Sequence, residues 1–156
     1  MSDRWVFVTA FLTLVLGVAG AFVIPEFFVY ELLKSLIYLA IALMVFFGED
    51  NFSYMLGIVV PPVWFIFDIL LGEFFHDFAV LFGSLMQKPS RPMDTPLHGV
   101  ALITEILLFF LCLRAWRKQV TGKLFGKTFG ICVAIAIAYV AILAGWRFFM
   151  ISSAGR

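Results

Sequence analysis

Charge is what this chain of 156 residues has least of: Asp, Glu, Lys and Arg together make up 13% of it, where soluble domains carry about 25%. With 63% hydrophobic residues and a mean hydropathy of +1.07, a water-soluble globule is excluded. Eleven basic and ten acidic residues leave a net charge of +1. That balance excludes both the positive field of a nucleic-acid binder and an acidic tail. Cysteine is equally scarce, and Cys112 and Cys132 form neither a disulfide framework nor a metal motif. Gly-rich phosphate loops, a Ser-His-Asp arrangement of local form and a metalloprotease motif are all missing. No metal and no cofactor is expected, and the reading leans away from an enzyme.

What the chain does have is apolar runs of bilayer length. A hydrocarbon core about 30 Å thick takes roughly 20 helical residues, and five windows of that size lie between polar or Pro/Gly breaks. They run from Trp5 to Ile24, Phe27 to Phe47, Ser53 to Gly72, Leu97 to Trp116 and Lys127 to Met150. Strand-like alternation is missing, and in lipid only helices or closed barrels satisfy the backbone, so the fold class is an all-α membrane bundle of about five spans in one domain. Arg4, an apolar run and Ala19-Gly20-Ala21 also resemble a secretory signal, but a retained first helix is the expectation.

The third segment is the ambiguous one, because the stretch from Tyr54 to Gln87, through Pro61-Pro62, is too long for one upright span. Either a span ends near Gly72 and an interfacial or re-entrant helix follows it to Met86, or a single helix starts at the prolines. The first reading is preferred, since it leaves Glu73, His76 and Asp77 at the membrane surface, where they cost less. A Pro-rich connector, Lys88 to Pro96, then leads into the fourth span, with Asp94 or Thr95 as cap and Pro96 in the first turn.

Orientation rests on Arg114, Arg117, Lys118, Lys123 and Lys127 between the fourth and fifth spans, which should be cytoplasmic. The amino terminus is then inside and the carboxyl terminus outside, in a membrane of the bacterial inner-membrane kind. Trp5, Trp116 and Trp146 fall near span ends, as an aromatic belt requires.

Ionisable groups inside spans ask for a reason, at about 2.5–3.5 kcal/mol each by insertion scales. Asp68 is flanked by apolar residues on the third span. His98, Glu105 and Cys112 recur every seven residues on the fourth, a helical drift of only about 20° per step, so they share one stripe with Thr104 beside it. That stripe should face the third span. If Glu105 meets Asp68, the two carboxyls can share a proton, the requirement of a relay. Glu73, His76 and Asp77 form a second cluster, read chiefly as an interfacial belt. Glu31 with Lys34, and Arg147 beside Trp146, read as interfacial anchors.

Gly126, Gly130, Ala134 and Ala138 repeat every four residues on the fifth span, a small-residue face for close helix approach. Thr9, Thr13, Gly17 and Gly20 make a lesser version on the first. These features lead to three functional expectations. The foremost is a membrane-embedded subunit of a homo- or hetero-oligomeric assembly, with lipid and other membrane subunits as its partners and no nucleic acid. The second is a small proton- or ion-coupled transporter using Asp68 and Glu105, and the third a lipid-processing or cofactor-bearing enzyme using His76 and His98.

The orientation is directly testable. A cysteine at Ser90 should be labelled from outside intact cells by an impermeant thiol reagent, and one at Gln119 should be protected; the reverse pattern would invert the topology.

Overall fold

In the computed structural model, described over residues 2–23, 28–86, 96–120 and 124–154, the chain forms helices and no strand among those residues. They are α1 (Ser2–Val23), α2 (Phe28–Phe47), α3 (Asp50–Leu71), α4 (Glu73–Leu85), α5 (Pro96–Gln119) and α6 (Lys127–Ala154). All but α4 are long and apolar enough to cross a bilayer. The chain is an all-α membrane protein.

The ambiguous third segment divides at Gly72. This residue adopts a left-handed φ of 78°, and its N–H returns to the Ile69 carbonyl at 3.1 Å. Glycine takes that conformation without the steric penalty of a Cβ, so α3 stops there and α4 turns away. Pro61 and Pro62 sit inside α3 rather than opening a helix. Each lacks an N–H, which leaves the carbonyls of Gly57 and Ile58 without their helical donors. Pro96 opens α5 as its turn chemistry predicts; the connector before it, with Asp94 and Thr95, lies outside the described residues.

α3 is the axis of the bundle. Of its most apolar stretch 56% is buried, against 17% for α6, and it packs on α2, α4, α5 and α6. Tyr54, Met55, Val60 and Trp64 of α3 meet Tyr38 and Ile41 of α2 and Leu108 and Cys112 of α5 in one core. Close approach depends on small residues: a Cβ on Gly57 would run into the Cys112 Sγ, and one on Gly17 into the Ser35 Oγ. α1 therefore uses its small-residue face, including buried Thr9 and Thr13, against α2 and α5.

The corresponding face of α6 behaves otherwise. Gly126, Gly130, Ala134 and Ala138 are exposed, and a Cβ on Gly130 would meet nothing within 4 Å. The helix buries Cys132, Ala136 and Leu143 instead, so the stripe faces away from the protein's own core. Trp116 is a second departure: it is buried against the core, while Trp5 and Trp146 are exposed as belt residues would be.

Helix alternation gives the bundle two unlike ends. At one stand Arg4, Arg114, Arg117, Lys118 and Lys127, all exposed. Here the Tyr54 hydroxyl lies 2.5 Å from Asp3 Oδ1 and 2.6 Å from Gln119 Oε1, and Gln119 Nε2 donates to Asp3 Oδ1 at 2.6 Å. The first turns of α1 and α3 are thereby tied to the last turn of α5. At the other end α4 lies flush on α5, because Gly99 leaves no room for a side chain: a Cβ there would come within 2.7 Å of Leu81 Cβ and 3.0 Å of the Asp77 carbonyl.

These contacts make Gly57 intolerant of volume. Gly57→Leu should lose about 1–3 kcal/mol or more through overpacking, read as a lower midpoint in thermal unfolding in detergent, while Gly130→Ala should leave the midpoint unchanged.

Candidate functional site

The charged residues of the spans converge near the α4 end, and the residue that organises them is Lys34. From the second turn of α2 its Nζ reaches Asp68 Oδ2 on α3 at 3.5 Å, the side chains being 19% and 8% exposed. The same ammonium lies 5.0 Å from the centre of the Trp64 ring, within cation–π range. Glu31 and Glu105 also stand close enough to act on it electrostatically. The anchor expected at Lys34 is thus an inward-facing cation. A snorkelling lysine keeps its head in water; this one has an acidic partner across the helix interface, and the pairing offsets part of its desolvation.

Asp68 belongs to the last turn of α3, four residues before Gly72. Its burial at 6% comes from the helices packed around that turn rather than from depth along the span. Glu105, also 6% exposed, lies nine residues into α5, on the stripe with Cys112 and Thr104, both buried, and with half-buried His98. The Tyr38 hydroxyl stands beside the Glu105 carboxyl and interacts with it, without a hydrogen bond of ordinary geometry to any described residue. The two carboxyls foreseen as a pair do share one site, and Lys34 joins them there as the third charge.

A cavity of about 40 Å³ lies between these groups, room for about three waters at 10–15 Å³ each. Lys34, Asp68, Glu105 and Tyr38 line it from within, and Glu31, Asp77 and His98 border it as well. Its walls are otherwise held by hydroxyl contacts. Ser35 Oγ donates to the Glu31 carbonyl at 2.8 Å; Thr13 Oγ1 lies 2.9 Å from the Thr9 carbonyl and 3.0 Å from Thr104 Oγ1, which donates to the Ala101 carbonyl at 2.7 Å. The His98 ring packs on Gly20, where a Cβ would come within 3.3 Å of Nε2. On the α6 side the Tyr139 hydroxyl donates to the Leu33 carbonyl, and the Arg147 guanidinium lies 5.5 Å from the centre of the Tyr30 ring. Arg147 is therefore packed against α2 rather than simply anchored at the surface.

The rim cluster divides. Asp77 and His98 border the cavity, whereas His76 is exposed; the side chain of Glu73 lies outside the described residues. Among the described residues no three His, Cys, Asp or Glu side chains come together as a metal site. Both cysteines are free and buried. Sequence reasoning missed Lys34, Tyr38 and Glu31 as site residues. The available signal was the spacing of four that sets Tyr30, Lys34 and Tyr38 on one face of an otherwise apolar helix.

No family model matches this chain, and no curated protein or solved structure matches it.

The ion pair makes its own prediction. Removing one partner of a buried pair typically costs about 3–5 kcal/mol, because the other is left uncompensated, while replacing both by apolar side chains is often neutral. Lys34→Met should therefore lower the denaturation midpoint sharply, and Lys34→Met with Asp68→Leu should restore most of it.

Proposed function

We propose that the protein is a small proton- or cation-coupled transport protein whose working site is the buried group Lys34, Asp68 and Glu105. One observation carries the reading: three ionisable side chains from three helices meet around a water-sized cavity inside an apolar bundle. Apolar residues of similar volume would hold the same helices together at no desolvation penalty, so the charges serve something other than stability. Ionisable residues within spans are the usual bearers of proton and ion pathways. In this arrangement Asp68 and Glu105 exchange a proton with water in the cavity, and Lys34 balances whichever carboxylate is charged. Aqueous access is from the α4 end, which the basic-loop rule assigns to the outside. The apolar core below Glu105 separates the site from the other end.

Amide substitutions test this, since Asn and Gln keep most hydrogen bonds but cannot take part in proton exchange. Glu105→Gln should fold normally in detergent, Asp68→Asn should fold with a lowered midpoint because Lys34 loses its acidic partner, and each should reduce potential-driven proton flux into reconstituted vesicles at least tenfold. Wild-type vesicles no more permeable than protein-free ones would overturn the proposal.

A second reading, a subunit of a larger membrane assembly, draws on the exposed stripe Gly126, Gly130, Ala134 and Ala138, whose spacing suits close helix approach by another chain or a second copy. Gly130→Leu should then lower the assembled mass in mild detergent without disturbing the helix content. Unchanged mass in that variant would assign the stripe to lipid.

A further inference from the structure

We infer that the cavity at the α4 end binds a small hydrogen-bonding cation of the ammonium or primary alkylammonium class, with the Lys34 head group as its built-in competitor. This rests on the transport reading and names the substrate class for it.

The lining has the sign for a cation: among the described residues it carries four carboxyl groups, from Glu31, Asp68, Asp77 and Glu105, against the ammonium of Lys34 and the imidazole of His98. It does not have the convergence that a metal ion needs, since among the described residues no three potential metal ligands come together. Instead the acceptors are spread over several helices around the cavity. A cation with N–H bonds pointing in several directions suits such dispersed acceptors. The Lys34 head group, itself a primary alkylammonium, already occupies part of this environment at 3.5 Å from Asp68 and 5.0 Å from the indole centre. A second observation points the same way: Tyr38 is 2% exposed and borders the cavity, and its hydroxyl, beside the Glu105 carboxyl, makes no hydrogen bond of ordinary geometry among the described residues. Its oxygen is an acceptor held ready beside Glu105. The size agrees too, since space for about three waters admits ammonium or methylammonium.

Binding and competition follow from one geometry. An entering cation passes Asp77, His98 and Glu31, takes acceptors from Glu105 and Tyr38, and weakens the hold of Asp68 on Lys34. Shortening Lys34 frees its acceptors and should strengthen binding, the opposite of what a purely structural lysine would show.

The experiment uses the full chain in lipid nanodiscs, titrated with methylammonium chloride by calorimetry and followed by thermal unfolding. Wild type should bind saturably, Lys34→Ala at least tenfold more tightly with its lowered midpoint raised by the ligand, and Glu105→Gln at least tenfold more weakly. Tyr38→Phe should lose affinity several-fold. Sodium and tetramethylammonium at equal ionic strength should give no saturable response, the latter because it has no N–H to donate. Absence of saturable binding in both wild type and Lys34→Ala overturns the inference, as does an equal response to sodium or tetramethylammonium. Should Lys34→Ala fail to fold, wild type against Glu105→Gln decides. Proton flux measured without amine separates the two claims: flux with no amine binding removes this inference and leaves the transport reading, while binding without flux under any gradient removes the transport reading.

Discussion

A lysine ammonium kept out of water must be neutralised nearby, and the arrangement of helices at the α4 end follows from that constraint. Lys34 can meet Asp68 only if α2 turns its Tyr30–Lys34–Tyr38 face toward α3, and only if α3 continues as helix through Asp68. Gly72 then ends the helix within one turn of the carboxylate, and α4 folds back on α5 through the gap at Gly99. Around the pair, Trp64 supplies an aromatic face and Glu105 a second acid. Removing the ammonium would take from Asp68 its ion pair across the helix interface.

The spans were legible in the sequence because lipid imposes a length and a composition at once, and the helix ends followed where a glycine or proline had a specific backbone task. Gly72 and Pro96 are such positions. The stripe of His98, Glu105 and Cys112 was legible as well, since a spacing of seven holds whichever way the helix faces. Rotation was not legible. Lys34 three residues after Glu31 reads equally as an anchor or an inward charge, and only the partner on α3 decides. The small residues of α6 mark a face but do not say which neighbour lies against it; the side with Cys132, Ala136 and Leu143 packs inward instead. Trp116 shows the same limit, for a tryptophan near a span end is a belt residue only if its helix turns it outward.

The two ends of the bundle are held by different chemistry. At the basic end Asp3 accepts from Gln119 beside the Tyr54 hydroxyl, which lies within hydrogen-bond distance of both, and the three tie three helices together. At the other end charged groups surround open space. Between them lie Met55, Ile41, Leu108 and Cys112, close-packed and fully buried. Hydrogen-bonded at one end and open at the other, the bundle resembles a cup whose rim carries the ionisable groups.

That asymmetry determines where a membrane voltage would be felt. On the transport reading, water and ions reaching the cavity would carry the potential of their own side down to Glu105, and the drop would fall across the apolar stretch beyond it. From Glu105 to Gln119 that stretch is fourteen residues of α5, about 21 Å of helix. A full crossing of the field is worth about 2.3 kcal/mol per charge for each 100 mV. On that reading a cation would enter the cup almost free of electrical work, and nearly all of that work would attach to the single step that carries a charge past the core.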